Sequence, residues 1–119
     1  MRILVVDDDP PLLEVLGDFL TLEGYTTQLA ETREAALAAL QAQPFDLILS
    51  DPMGRGWDPA LPFIRQLQAT APTTPVVVVT AHGEAARLPL ETARISALWL
   101  KPMDIEALVS SLHQLVQPS

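Results

Sequence analysis

The sequence of 119 residues predicts one α/β domain, in which helices cover both faces of a doubly wound, five-stranded parallel sheet. Three observations predict this fold. Five short runs rich in apolar residues lie at 3–6, 25–29, 47–49, 76–79 and 97–100, and segments with helical periodicity separate them, in the order βαβαβαβαβα. The connections are short, which favours right-handed crossovers and parallel strands. Hydrophobic residues make up 49% of the chain, enough for one sizeable core.

The composition of the five runs distinguishes central strands from an edge strand. Four runs are apolar throughout and do not alternate, as strands buried on both faces of a parallel sheet require. The run at 25–29 contains Thr26, Thr27 and Gln28. These polar residues predict a strand at the edge of the sheet.

Helix boundaries are predicted from capping residues. Asp9 is an expected N-cap with Pro10 in the first turn and Gly24 as the stop, and Thr32, Asp58 with Pro59, and Asp104 begin three further helices. Pro44 ends the second helix, and Pro89 makes a short or irregular helix the expectation for 84–93. The expected core faces are Leu12, Val15, Leu16, Phe19 and Leu20; Ala36, Leu37 and Leu40; Phe63, Ile64 and Leu67; and Ile105, Leu108, Val109, Leu112, Leu115 and Val116.

Charge and cysteine content exclude several function classes. Seven Lys and Arg face fifteen Asp and Glu, so the formal net charge is −8, which argues against direct nucleic-acid binding. The chain has no Cys, which rules out a disulfide scaffold, a thiolate metal site and a cysteine nucleophile. The first apolar run is too short for a signal or membrane segment, so we expect a cytoplasmic protein without a membrane partner. We interpret 1–119 as one domain, with 117–119 as a tail or the start of a linker.

Polar residues follow four of the predicted strands. Asp7 and Asp8 follow the first, Asp51 the third, Thr80 the fourth, and Lys101, the single lysine of the chain, the fifth. Ligands of such sheets bind beyond the carboxyl ends of the strands. Clustered carboxylates repel one another unless a cation lies among them, and Mg²⁺ prefers oxygen ligands. A lysine and a threonine opposite are suited to phosphoryl oxygens, so the set describes a site that receives phosphate on a carboxylate.

At these residues the chain resembles the receiver domains of bacterial two-component response regulators. It is similar along its whole length to the single-domain chemotaxis type. The matching segments are 2–9, 46–51, 76–81 and 100–102, in order and at near-family spacing. The resemblance implies a flavodoxin-like (βα)5 fold with strand order 2-1-3-4-5. It also implies a phosphorelay role, with a sensor histidine kinase or histidine phosphotransfer protein as donor and a downstream protein or fused output domain as recipient of the signal.

The same resemblance implies a role for each site residue. Asp51 would be the phosphoacceptor, and Thr80 and Lys101 would contact the phosphoryl group. Mg²⁺ would be the cofactor, held by Asp8 and Asp51 directly, by Asp7 largely through a water, and by the backbone carbonyl of Met53. Met53 and His82 would modulate how fast the phosphate is lost. Asp9 is assigned to capping, and His113 is interpreted as a solvated residue of the last helix.

Two segments depart from the family pattern. The loop after Asp51 carries Gly54, Arg55 and Gly56, with Pro59 at an expected glycine position, which puts the path of the Met53 carbonyl in question. Three residues before Lys101, where the family usually has Tyr or Phe, this chain has Leu98. Trp99 beside it cannot replace that ring, since successive strand residues face opposite sides of the sheet.

Two alternative functions remain open at this point. The chain is either a receiver that catalyses only its own phosphorylation and dephosphorylation, and is not otherwise an enzyme, or a receiver-like module that works through protein contacts alone. An aspartate-nucleophile phosphatase similar to the haloacid dehalogenase group is disfavoured. That group needs Asp-x-Asp-x-Thr on its first strand, and the segment 7–11 lacks the threonine.

Overall fold

The computed structural model describes residues 1–51, 57–80, 95–101 and 104–116, with only the backbone described at 57–61 and 115–116. In chain order the elements are β1 (Arg2–Val6), α1 (Pro10–Leu22), β2 (Thr26–Ala30), α2 (Arg33–Ala42), β3 (Leu47–Ser50), α3 (Trp57–Thr70), β4 (Val76–Thr80), β5 (Ala97–Leu100) and α4 (Ile105–Val116). The helix predicted within 84–93 lies outside the described residues.

The five strands form one parallel sheet in the order β2-β1-β3-β4-β5, which confirms the predicted fold class. Every residue of β3 and β4 is buried, as is β1 beyond its first residue. The first four residues of β2, by contrast, are exposed or half-buried. The polar composition at 25–29 therefore predicted this edge strand correctly. The apolar run at 97–100 was expected to be buried on both faces, but β5 is the other edge strand and its residues are half-buried or exposed, because an edge strand has a neighbour on one side only; that prediction is wrong.

Alternate strand residues pack into two hydrophobic clusters, one on each face of the sheet. On one face Leu4, Ile48 and Val78 pack with the buried sides of α2 and α3. On the other, Ile3, Val5, Leu49 and Val77 join residues of α1 and α4. Burial of one such side chain contributes about 1.5–3 kcal/mol, so the central strands form a rigid base for the groups at their ends.

Three predicted N-caps are present. The Asp9 carboxylate accepts a long bond from the Leu12 amide at 3.4 Å, and the Thr32 hydroxyl accepts from the Ala35 amide at 3.0 Å. The Asp104 carboxylate accepts from the Glu106 amide at 3.0 Å. These bonds satisfy amides that would otherwise lack partners in the first helical turn. Among the described helices, none is long and apolar enough to cross a membrane.

Two details of the predicted helices are wrong. The core face of α1 is formed by Leu13, Leu16, Gly17 and Leu20, whereas Val15 is 39% exposed. A Cβ atom at Gly17 would lie 3.3 Å from a methyl carbon of Leu29, so the glycine permits close packing of α1 on β2. The four buried residues have the spacing of one helical face. Helix α3 begins at Trp57, which makes Asp58 its second residue instead of its cap.

Candidate phosphoacceptor site

Backbone hydrogen bonds hold the polar residues that follow the strands. These residues lie along the carboxyl ends of the strands, which we call the carboxyl edge of the sheet, and the opposite ends are called the amino edge. The Asp7 amide donates to the Ala30 carbonyl at 3.1 Å, and the Asp51 amide donates to the Val6 carbonyl at 2.8 Å. The Lys101 amide donates to the Thr80 carbonyl at 2.8 Å. Each bond extends the ladder of a parallel strand pair by one residue. Asp7, Asp51 and Lys101 are therefore positioned by the sheet itself.

The Lys101 ammonium bridges two carboxylates. Its Nζ lies 2.8 Å from Oδ2 of Asp7 and 2.7 Å from Oδ2 of Asp51. The Asp7 side chain is only 3% exposed, that of Asp51 is 16% exposed and that of Lys101 is 21% exposed. We refer to Asp7, Asp51 and Lys101 as the carboxyl-edge cluster. The cluster combines two carboxylates with one ammonium group, and all three side chains are largely shielded from solvent.

Burial and charge shift the pKa values of two members of this cluster. Burial raises the pKa of the Asp7 carboxyl, and the nearby Asp51 charge adds to the rise, although hydrogen bonds from Lys101 and the Asp9 amide oppose it. Burial by itself lowers the pKa of Lys101, but hydrogen bonds to Asp51 and Asp7 outweigh it, so the net shift is upward. The lysine is therefore held firmly in its charged form.

The other predicted site residues occupy different environments. Asp8 is exposed at the same edge, and Thr80 is fully buried at the end of β4. Asp9 serves the capping role assigned to it, and its amide also donates to Oδ1 of Asp7 at 3.0 Å. Met53 and His82 lie outside the described residues.

The donor chemistry of the cluster fits a hard divalent cation. The carboxylates of Asp7 and Asp51 both contact one cation, the Lys101 ammonium. The exposed carboxylate of Asp8 follows Asp7 in the sequence, and carboxylate oxygens are preferred ligands of such cations. Within the described ranges, no three acidic or histidine side chains are arranged as a complete metal site.

The two residues of β5 before Leu100 face opposite sides of the sheet. Leu98 packs against the cluster that includes α2 and α3, and Trp99 packs against the cluster that includes α1 and α4. Leu98 pairs with Val78 and Trp99 with Val79 in the β4–β5 register. The prediction that Trp99 cannot replace an aromatic ring at Leu98 is confirmed.

A second polar cluster, at the opposite edge of the sheet, was missed by the sequence analysis. The Tyr25 hydroxyl lies 2.8 Å from Nδ1 of His113, and Nε2 of His113 lies 3.0 Å from Oε2 of Glu23. We refer to Glu23, Tyr25 and His113 as the amino-edge cluster. His113 is half-buried and hydrogen-bonded, so its interpretation as a simple solvated residue is wrong. No local pattern could reveal these contacts, which join residues 88 and 90 positions apart.

A cavity of about 430 Å³ also lies at the amino edge, between the ends of α2 and α3. Its lining includes Leu40, Phe45, Thr70 and Thr74 and contains no charged side chain. The Thr74 hydroxyl donates to the Phe45 carbonyl across it at 3.1 Å. Because it lies at the opposite ends of the strands, the cavity is separate from the carboxyl-edge cluster.

Comparison with known proteins shows the family to which this chain belongs. The family model for the response regulator receiver domain matches residues 3–113. The chain belongs to this family. Receiver domains of response regulators are signalling modules, and in this receiver domain Asp7, Asp51 and Lys101 meet at the carboxyl ends of the strands.

Two curated relatives illustrate the match. Over 119 residues the receiver domain is 33% identical to the transcriptional regulatory protein GlrR of Escherichia coli (strain K12), a match that covers 99% of this chain and 27% of GlrR. It is also 33% identical to the response regulator protein FleR of Pseudomonas aeruginosa over 110 residues, covering 91% of this chain and 23% of FleR. The chain thus spans about a quarter of the length of these relatives.

Solved structures agree on the fold. A CheY-like receiver domain protein from Methanospirillum hungatei JF-1 superposes with a TM-score of 0.83 at 25% identity, covering 97% of this chain and 92% of that one. The response regulator TrrA from Thermotoga maritima, solved in complex with Mg²⁺ and BeF, gives a TM-score of 0.80 at 26% identity, covering 96% and 97% of the two chains.

Proposed function

We propose that this receiver domain accepts a phosphoryl group on Asp51 and thereby switches a signalling surface. The observation that carries the proposal is the Asp51 carboxylate, 2.7 Å from the Lys101 ammonium at the carboxyl edge of the sheet. The P–N bond of a phosphohistidine breaks as a P–O bond to Asp51 forms, and the imidazole leaves with the electron pair. Such a transfer depends mainly on positioning and on neutralising charge.

Lys101 and Thr80 have distinct roles in this proposal. Lys101 holds Asp51 in position before transfer and contacts a phosphoryl oxygen afterwards, as a point charge suited to phosphate. Thr80, at the end of the neighbouring strand β4, donates its hydroxyl to another phosphoryl oxygen. His82 and Met53 modulate the lifetime of the phosphorylated form, and the chain is not otherwise an enzyme.

We propose Mg²⁺ as the cofactor of the reaction. Asp8 and Asp51 would hold it directly, Asp7 largely through a water, and the Met53 carbonyl would complete the protein ligands. The ion supplies charge neutralisation at the transferring phosphoryl group. Support comes from the converging carboxylates and from the similar fold of TrrA, which was solved in complex with Mg²⁺ and BeF.

The partners are proposed from the family. A sensor histidine kinase or a histidine phosphotransfer protein donates the phosphoryl group, and a downstream protein or a fused output domain reads the result. The relatives GlrR and FleR are named as regulators and are about four times longer than the match. We propose that 1–119 is one receiver domain with 117–119 as a tail or linker, that it works in the cytoplasm, and that it contacts neither nucleic acid nor membrane directly.

The deciding experiment is incubation with acetyl phosphate and Mg²⁺, followed by intact-mass measurement. Wild-type protein is expected to gain one phosphoryl mass, and Asp51→Asn is expected to gain none. The matched control is Asp104→Asn, an exposed aspartate at a helix cap that asparagine serves equally well. An unmodified wild type would contradict the proposal and favour a module that works by protein contacts alone.

A further inference from the structure

The residue before the proposed phosphoacceptor makes an unusual local contact. Ser50 is the last residue of β3 and is 0% exposed. Its hydroxyl donates to the backbone carbonyl of the next residue, Asp51, at 2.8 Å. A buried hydroxyl needs a partner, and here the partner belongs to the residue that carries the proposed chemistry.

This contact completes the fixation of the Asp51 backbone. The Asp51 amide already donates to the Val6 carbonyl of β1 at 2.8 Å, so both polar backbone groups of Asp51 are held. The next residue in the sequence is Pro52, which has no N–H to donate and restricts Asp51 to extended conformations. The carbonyl is then the one polar group of the Asp51–Pro52 peptide, and Ser50 controls its direction.

We infer that Ser50 is a positioning residue, whose hydroxyl holds the backbone from which the Asp51 carboxylate, a proposed ligand of Mg²⁺, projects. The inference rests on the proposed function. With its amide and its carbonyl both held, the Asp51 backbone keeps one orientation, and the side chain leaves it in a fixed direction. Loss of the hydroxyl is therefore expected to weaken Mg²⁺ binding more than it slows transfer at saturating Mg²⁺.

The test compares Ser50→Ala with Ser50→Thr, which keeps a hydroxyl, and with Ser111→Ala. Ser111 is a matched control because its hydroxyl donates to the Leu108 carbonyl at 2.7 Å in α4, at another element of the fold. Two quantities are measured: the ¹³C chemical shift of the Asp51 carbonyl in metal-free protein, and the Mg²⁺ dissociation constant by calorimetry.

In Ser50→Ala the carbonyl resonance is expected to move upfield and the Mg²⁺ dissociation constant to rise about 10-fold, the size of effect known for groups that orient metal ligands. Ser50→Thr is expected to stay near wild type, and Ser111→Ala within about 2-fold of it. The rate of phosphorylation at saturating Mg²⁺ should change less than the dissociation constant.

The outcomes separate this inference from the proposed function. An unchanged Mg²⁺ affinity in Ser50→Ala, or an equal loss in Ser111→Ala, would show that the Ser50 bond is structural and overturn the inference. If wild type binds Mg²⁺ but is not phosphorylated, the proposed function fails, while the affinity comparison still decides the role of Ser50. A wild type that binds no Mg²⁺ overturns both.

Discussion

The two polar clusters, at opposite edges of the same sheet, use three side chains each but differ in charge. The carboxyl-edge cluster brings Asp7 and Asp51 together around one ammonium. In the amino-edge cluster a chain of hydrogen bonds runs from Tyr25 through His113 to Glu23. A carboxylate oxygen accepts, so Nε2 of His113 donates to Glu23, and in the tautomer with the proton on Nε2 the Nδ1 atom accepts from the Tyr25 hydroxyl.

The difference shows how unequally a folded protein can compensate the polar groups that it buries. At the amino edge every group has a complementary partner, and the cluster joins α4 to the turn between α1 and β2. At the carboxyl edge one lysine serves two carboxylates, and burial raises the pKa of Asp7 because its charged form is poorly solvated. The first arrangement stabilises the fold, whereas the second leaves a net negative charge that the proposed Mg²⁺ would neutralise.

The largest expected effect comes from removing the shared cation. Lys101→Met leaves Asp7 and Asp51 facing each other, so the free energy of unfolding at pH 7 should fall by about 2–3 kcal/mol in metal-free protein. Urea titration measures the loss, which should shrink at pH 4.5 because the Asp7 carboxyl, whose pKa is raised by burial, takes up a proton more readily there. Phosphorylation by acetyl phosphate should also be lost. A loss of stability that is equal at both pH values would contradict the role of charge repulsion.

The next effect tests the turn that assembles the amino-edge cluster. Gly24 lies between Glu23 and Tyr25 with a φ of +94°, a conformation that side chains with a Cβ rarely adopt. Nothing lies within 4 Å of a Cβ built there, so Gly24→Ala introduces backbone strain without a clash. We expect a loss of about 1–2 kcal/mol by urea titration with Mg²⁺ affinity unchanged. A shifted Mg²⁺ affinity would show that the two edges are coupled.

A smaller loss is expected from Tyr25→Phe, which removes the hydroxyl that contacts His113. The expected loss is about 1 kcal/mol, the usual value of one hydrogen bond between neutral groups. Thermal unfolding measures it, and the variant should be phosphorylated at the wild-type rate. In a His113→Ala background the same change should have little further effect, because the partner of the hydroxyl is already absent.

The smallest expected effect has the opposite sign. The pKa of Asp7 is raised in the folded state, so the unfolded chain releases this proton first as the pH rises above about 3.8. The contribution of Asp7 to stability therefore falls as the pH rises from there through the folded-state pKa. Asp7→Asn should remove this fall and stabilise metal-free protein. The gain should be less than about 1 kcal/mol, because Lys101 loses one hydrogen-bond partner. Urea midpoints at pH 3.5 and 7 measure it, and a destabilised variant at pH 7 would contradict the cost of burying this charge.

The pKa shift of Lys101 acts in the other direction. Its folded-state pKa is raised, so the stability it contributes is fully present below pH 10.5, the unfolded value, and is lost as the pH rises further. The two shifts therefore act in separate pH windows and can be measured independently.

Much of this protein was determined by its sequence. Continuous apolar runs predicted the buried strands β1, β3 and β4, although the fourth such run forms the half-buried edge strand β5. The polar run at 25–29 predicted the other edge strand, and Asp9, Thr32 and Asp104 predicted three helix starts. These features depend on local periodicity and on side chains that bond to nearby amides. For the same reason the end of each strand indicated where Asp7, Asp51 and Lys101 would meet.

Other features were decided only by the tertiary structure. The core face of α1 depended on which side of the helix packs on the sheet, and the amino-edge cluster joined residues distant in sequence. The bridging of Asp7 and Asp51 by one lysine, with the resulting rise in the pKa of Lys101, is likewise a tertiary property. Sequence patterns record which residues follow a strand, but solvation and charge sharing depend on which side chains the folded chain brings within hydrogen-bonding distance.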